Sequence, residues 1–180
     1  MKVTACRLPE ILILEPRVFE DSRGCFFEAY NRKQLKAAGI DQDFVQDNQS
    51  VSRRNVLRGL HYQIRQPQGK LVRVLRGEIF DVAVDCRKSS STFGDWVSAT
   101  LSAENKKMIW IPAGFAHGFL ALSETVEVLY KTTDFYAPEF ERTLLWNDPQ
   151  IAIPWPSGIE PVLSDKDRAG KPIASAELFD

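Results

Sequence analysis

From Leu71 to Tyr136 the chain is a succession of short apolar stretches, each cut off by a turn signal before it reaches the length of a helix. "LVRVLRGEIFDVAVD" reads as two strands joined at Arg76-Gly77, and "WVSATLS", "KMIWIP", "HGFLALS" and "TVEVLYKTTDFY" continue the series at hairpin-like spacing. The β-branched and aromatic residues in these runs suit a pleated, half-buried surface. The N-terminal part begins the same way, with "ILILEPRVF", a turn at "EDSRG" and then "CFFEAY". The exception is "NRKQLKAAG", a short helix with Asn31 as N-cap and Gly39 at its C-terminal stop. Many short strands without intervening helices lack the crossovers of a parallel α/β sheet. They predict a mainly β sandwich or barrel with short peripheral helices.

Beyond the strands, "NDPQIAIPWPSG" predicts extended chain, and in "LSDKDRAGKP" Ser164 is placed to cap a single helical turn with Asp167 at its third position. No repeat, low-complexity tract or linker divides the chain, so residues 1–180 read as one domain, long enough for a core of its own. A hydrophobic share of 44% excludes a disordered chain. The 23 basic and 24 acidic residues nearly cancel, and no polybasic run offers a footprint for nucleic acid. Basic residues cluster once, in "SRRNVLRG", where Arg53 and Arg54 suit a solvated turn. Cys6, Cys25 and Cys86 are odd in number and lack C-x-x-C spacing, so reduced thiols are expected rather than a disulfide framework or zinc site. "ILIL" is too short for a signal-peptide core, and the stretch from Ile109 to Leu122 is interrupted by Pro112, Gly114, His117 and Gly118. The expectation is a soluble, cytoplasmic protein with no membrane partner.

The chain has two histidines, His61 in "VLRGLHYQ" and His117 in "PAGFAHGF", each flanked by glycine and apolar residues. "PAGFAH" has the P-x-G-x-x-H form found in cupin barrels, where the proline and glycine turn the chain and the histidine points inward. Many cupins bind a metal with three histidines and a glutamate. Two histidines cannot build that site, although two plus a carboxylate remain arithmetically possible. An imidazole lining a barrel has another use, because with an unperturbed pKa of ~6.5 it accepts a proton near neutrality. A general base also needs its second ring nitrogen held, usually by a carboxylate. Arg58 and Lys70 lie close to His61 in sequence. Simple strand alternation puts Arg58 and His61 on opposite faces, whereas the freedom of Gly59 could return both to one cavity. A base beside fixed cations suits removal of a proton from carbon and stabilisation of the enolate. Surface ion pairing would equally account for Arg58 and Lys70.

"FVQDNQSVSRRNVLRGLHYQ", "QGKLVRVLRGEIFDVAVD", "STFGDW", "LSAENKKMIWIPAGFAHGFLALSE", "LYKTTDFYAPEFE" and "WNDPQIAIPWP" resemble blocks of the dTDP-4-dehydrorhamnose 3,5-epimerases, in order and near family spacing. The resemblance runs from about "LEPRVFEDSRG" to "LSDKD". It implies a cupin-type jelly-roll barrel, a dTDP-sugar substrate, no cofactor and no metal. The implied reaction inverts carbons 3 and 5 of dTDP-4-dehydro-6-deoxy-D-glucose, whose 4-ketone acidifies the hydrogens on both carbons. Inversion calls for a base and an acid on opposite sides of the sugar.

By matching motif, His61 corresponds to the proton acceptor, Asp167 to its carboxylate partner, Tyr130 to the proton donor and Lys70 to the lysine near the ketone. His117 matches a substrate-binding position, Arg58 the diphosphate contact and Tyr136 the aromatic that stacks on thymine. Arg23, Glu28, Gln46, Asp47, Asn48, Glu141 and Lys166 resemble further substrate contacts. In the family the N-terminal contacts come from the neighbouring subunit, which implies a homodimer. Capping alone would explain Asp167, a turn beside Gly24 would explain Arg23, and core packing would explain Tyr130. Gln49 stands where histidine is common and Tyr62 where phenylalanine is common, leaving open a relative that epimerises one carbon, or a ketoisomerase. The same barrel would also suit a metal-dependent cupin enzyme or a non-catalytic module that binds a nucleotide sugar.

Overall fold

A computed structural model describes residues 1–180. Thirteen strands are present: β1 (Lys2–Ala5), β2 (Leu12–Glu15), β3 (Val18–Asp21), β4 (Gly24–Phe27), β5 (Gln46–Arg53), β6 (Leu57–Gln63), β7 (Lys70–Arg76), β8 (Glu78–Asp85), β9 (Trp96–Ser102), β10 (Met108–Ile111), β11 (Phe115–Ala121), β12 (Thr125–Thr132) and β13 (Glu141–Thr143). Two helices join them, α1 (Arg32–Ala37) and α2 (Asp165–Arg168). A six-stranded sheet, ordered β1-β2-β10-β7-β12-β5, faces a five-stranded one, ordered β13-β6-β11-β8-β9. The mainly β sandwich with short helices is therefore as expected. No helix is long and apolar enough to cross a membrane.

The strand at Arg76-Gly77 breaks where the sequence predicts, but β7 and β8 do not pair. β7 lies between β10 and β12, whereas β8 lies between β11 and β9. Gly77, at φ +75°, carries the chain from one sheet to the other. The short spacing that reads as a hairpin is here a corner of the jelly roll, because each strand buries one face on the opposite sheet.

Alternation decides what fills the interior. Val72 and Val74 of β7, Val126 and Val128 of β12, Phe115, Phe119 and Ala121 of β11, and Ile79 and Ala83 of β8 share one buried cluster between the sheets. The outer face of the five-stranded sheet is also covered. Leu60, Tyr62, Val82, Val84 and Ala116 pack there against Leu144, Ile151, Ile173 and Leu178 of the C-terminal segment. β11 is therefore buried at every position. On the outer face of the other sheet, α1 contributes Leu35 to a cluster with Leu14, Leu71, Met108 and Trp110. Asn31 caps α1 by accepting from the Gln34 N–H, and Gly39 ends it at φ +87°.

The β3–β4 hairpin stands apart as a two-stranded sheet. Phe19 and Phe26 on it are 50% and 69% exposed, and the Arg17 guanidinium stacks over the Phe19 ring.

Candidate active site

On four strands the inward positions that continue the core pattern carry polar side chains. Lys70 precedes Val72 and Val74, Tyr130 follows Val126 and Val128, His117 lies between Phe115 and Phe119, and Asp81 lies between Ile79 and Ala83. A period of two therefore points all four into the space between the sheets. The core ends there, and a cavity of about 290 Å³ opens. It extends into a smaller recess that also touches His61, Lys70, Tyr130, Tyr136 and Glu141.

Regular alternation would put Arg58 and His61 on opposite faces. In the β6–β11 ladder His61 faces His117 and Arg58 faces Phe119, so three steps on β6 match two on β11. This bulge changes the phase, and both side chains line the cavity. Gly59 and Gly118 allow it. A Cβ on Gly59 would lie 2.6 Å from Gly118 Cα, and one on Gly118 would lie 2.6 Å from Arg58 O. Gly59 also has φ +126°, open to glycine and rarely to other residues.

His61 Nε2 lies 2.6 Å from Asp167 Oδ1, which leaves Nδ1 for the cavity. Asp167 is buried, 106 residues away, and the same oxygen accepts the Gly59 N–H at 3.1 Å. The Ser164 hydroxyl accepts the Asp167 N–H at 3.2 Å, so the predicted cap is present, and it donates to Asp167 Oδ2 at 2.6 Å. Capping and pairing with His61 are thus both properties of Asp167. Burial pushes the Asp167 carboxyl up, but hydrogen bonds from His61 and Ser164 outweigh it and hold the group at about 2. Burial lowers the His61 pKa, with Lys166 and Lys70 adding to that effect and Asp167 opposing it.

The second imidazole has a second aspartate. His117 Nε2 lies 2.9 Å from Asp81 Oδ2, and Asp81 is fully buried. Sequence reasoning missed Asp81. The signal was an acidic residue at an inward position of "IFDVAVD", where the neighbouring inward positions are apolar. Lys70 is buried too, its Nζ donating to His61 O at 3.2 Å. Burial brings its pKa down to about 8, against the pull of Glu141 and Asp81. Tyr130 has its pKa raised by burial.

Around the mouth, Lys166 donates to Glu141 Oε1 at 2.8 Å and the half-exposed Tyr136 hydroxyl donates to Glu141 Oε2 at 2.9 Å. Burial raises the Glu141 carboxyl, yet these two bonds leave it below the usual range. Gln46 accepts the Tyr136 N–H and donates to Asn48. Arg58 is aimed by Ser52 Oγ and Val51 O. Of the predicted site residues, Asp167 sits behind His61 and does not itself line this cavity, and Asp47, Arg23 and Glu28 do not line it either. Asp47 occupies an outward position of β5 and pairs with Lys131. Arg23 pairs with Asp21 on the β3–β4 hairpin, and Glu28 accepts from Asn31 and Gln34.

A carboxylate-held imidazole on one sheet faces a tyrosine and a buried lysine on the other, a layout suited to moving protons on and off carbon, and it defines the molecule as a cupin-fold isomerase. Residues 5–175 match the sequence profile of dTDP-4-dehydrorhamnose 3,5-epimerase. The enzyme of that name from Pseudomonas aeruginosa is 61% identical over 180 residues, 99% of each chain. The crystal structure of dTDP-6-deoxy-D-glucose-3,5-epimerase from Legionella pneumophila, in complex with dTDP-4-keto-L-rhamnose, superposes with a TM-score of 0.95 at 50% identity, covering 98% of this chain and 94% of that one. A 3'-monoepimerase from Streptomyces bikiniensis in complex with dTDP-quinovose reaches 0.89 at 34% identity, over 94% and 87%. This chain belongs to the dTDP-4-dehydrorhamnose 3,5-epimerase family.

Proposed function

We propose that the chain epimerises dTDP-4-dehydro-6-deoxy-D-glucose at carbons 3 and 5, giving dTDP-4-dehydro-L-rhamnose, with His61 as base and Tyr130 as acid. One observation carries the residue assignment. His61 comes from the five-stranded sheet and Tyr130 from the six-stranded one, and both face one cavity, so a sugar between the sheets meets them on opposite sides. His61 Nδ1 takes the proton from carbon, and the C–H electron pair moves into the adjacent carbonyl to form an enolate. Lys70 Nζ stabilises the developing negative oxygen. Tyr130 then returns a proton to the opposite face, and the imidazolium and phenolate are restored by exchange with solvent. Asp167 holds the ring and favours the imidazolium.

Arg58 and Lys166 supply charge for the diphosphate, and Tyr136 supplies a half-exposed ring for thymine stacking. His117, Gln46, Asn48 and Glu141 hold the sugar nucleotide from the cavity wall. Arg23 and Glu28 act in a homodimer, contacting the substrate of the neighbouring subunit. The β3–β4 hairpin carries Arg23 away from its own cavity and exposes two phenylalanines, as an arm reaching a second subunit would. The working compartment is the cytoplasm.

The test is incubation with dTDP-4-dehydro-6-deoxy-D-glucose in deuterated water, following label at carbons 3 and 5 by mass spectrometry and proton NMR. Label at both carbons is expected. Label at one carbon alone would overturn the double epimerisation, and tight binding with no label would overturn the acid–base reading.

A further inference from the structure

Ser164 makes two hydrogen bonds to one residue, and they use different parts of its hydroxyl. The oxygen accepts the Asp167 N–H at 3.2 Å, the bond that any helix cap requires. The proton goes to Asp167 Oδ2 at 2.6 Å. A cap does not need that second bond. With it, the Asp167 carboxylate has three donors: Ser164 on Oδ2, and the Gly59 N–H and the His61 ring on Oδ1.

The turn carrying these residues is fastened at both ends. Leu57 N donates to Val162 O at 3.0 Å and Val162 N donates to Asn55 O at 2.8 Å, tying the entry of α2 to the start of β6. Lys171 N donates to Thr143 O at 2.9 Å and Leu145 N to Lys171 O at 2.8 Å, tying its exit to β13. With the backbone thus held, the remaining freedom of Asp167 is rotation of its carboxylate, and Ser164 Oγ stops that rotation. We propose that Ser164 is a positioning residue for the base, its hydroxyl orienting the Asp167 carboxylate so that Oδ1 holds the His61 ring with Nδ1 toward the substrate. The proposal rests on the reading of His61 as the base.

Ser164 also sets how strongly the carboxylate competes for the imidazole proton. A donor on Oδ2 spreads the negative charge of Asp167 and weakens its pull on an imidazolium. Without that donor the carboxylate favours the charged ring more, and the His61 pKa rises. The other groups facing His61 are Lys166 on α2, Lys70 on β7 and Glu141 on β13, with Arg58 on its own strand, His117 beside it on β11 and Tyr130 across the cavity on β12. None of them is altered by a substitution at Ser164.

The experiment uses the full chain. Ser164→Ala removes both bonds, Ser164→Gly removes them while remaining a tolerated cap residue, and Ser164→Thr keeps them. Because the chain has two histidines, proton NMR of the imidazoles follows each titration in the absence of substrate, with His117→Asn assigning the signals. Ser164→Ala and Ser164→Gly should raise the His61 midpoint by about 0.5 pH unit or more. They should move the acid limb of kcat/KM upward in step, lower kcat about tenfold and leave KM little changed, with Ser164→Thr restoring all of these. If instead both variants lose thermal stability while the His61 midpoint and acid limb stay at wild-type values, Ser164 is a cap and nothing more. Failure of the base reading shows separately, as absence of deuterium incorporation by the wild type.

Discussion

Lys70→Met should make the protein more stable and nearly inactive, and the size of the gain follows from the buried ammonium. Lysine ordinarily titrates at 10.5, and burial brings Lys70 to about 8. The difference is about 2.5 pH units, worth ~3 kcal/mol against the folded state while the group is charged. The sign is that of a lysine with a depressed pKa. The penalty is fully present below about pH 8 and fades as pH rises toward 10.5, where both states are neutral. Methionine fills a similar volume without charge, but its introduction removes the bond from Nζ to His61 O at 3.2 Å, a loss of ~1 kcal/mol. A net gain of about 2 kcal/mol at pH 7 remains, or roughly 4–8 °C in Tm for a domain of this size. Urea titration at pH 7 and pH 10, at fixed protein concentration, should show the gain at the lower pH and little at the higher. Turnover should fall by a hundredfold or more, since the enolate loses its cation. A variant no more stable than wild type at pH 7, or one whose gain is independent of pH, would refute the claim that Lys70 is held charged at a cost to the fold.

His61→Asn should leave dTDP binding, measured by calorimetry, within a few-fold and lower turnover by roughly a hundredfold or more. Arg58→Ala should instead severely weaken affinity, and unchanged affinity would remove its diphosphate role. Gly59→Ala forces a Cβ to 2.6 Å from Gly118 Cα at φ +126°, so thermal melting should show a loss of more than ~2 kcal/mol with activity falling alongside. Asp85 is fully buried at the end of β8, where burial raises its carboxyl but Arg87, Ser90 and Thr92 bring it to about 2. A carboxylate depressed in this way stabilises the fold above its unfolded value and loses that contribution as pH falls from about 4 toward 2. Asp85→Asn should therefore lower stability at pH 7 and flatten the acid unfolding limb, with Asp167 and Glu141 among the carboxylates that keep part of the slope.

The strand series, the helix at Asn31 and the cap at Ser164 were legible because each depends on neighbours within a few residues. β propensity, side-chain period and capping are local, and the strand boundaries at Gly77 fell where the turn signal put them. The partnering of strands was not legible. "LVRVLRGEIFDVAVD" looks like a hairpin, and nothing within it reveals that its halves belong to different sheets, since that choice is made by pairing with β10 and β12 for one half and with β9 and β11 for the other. Asp47 shows the same limit at one position. Its block matches the family, yet alternation on β5 turns it outward to Lys131 while Gln46 and Asn48 face the cavity.

The sequence by itself determined the class of architecture, the motif blocks that carry the family resemblance, and the identities of the groups able to move protons. Tertiary structure alone decided how those groups meet. Asp167 reaches His61 across 106 residues of chain because the C-terminal turn docks between β6 and β13. Arg58 joins His61 because a bulge shifts the register of β6 by one residue, and Asp81 becomes the partner of His117 because both occupy inward positions on paired strands. Residue types limit which chemistry is possible. The distances at which that chemistry runs come from packing two sheets face to face, and packing is a property of the whole chain.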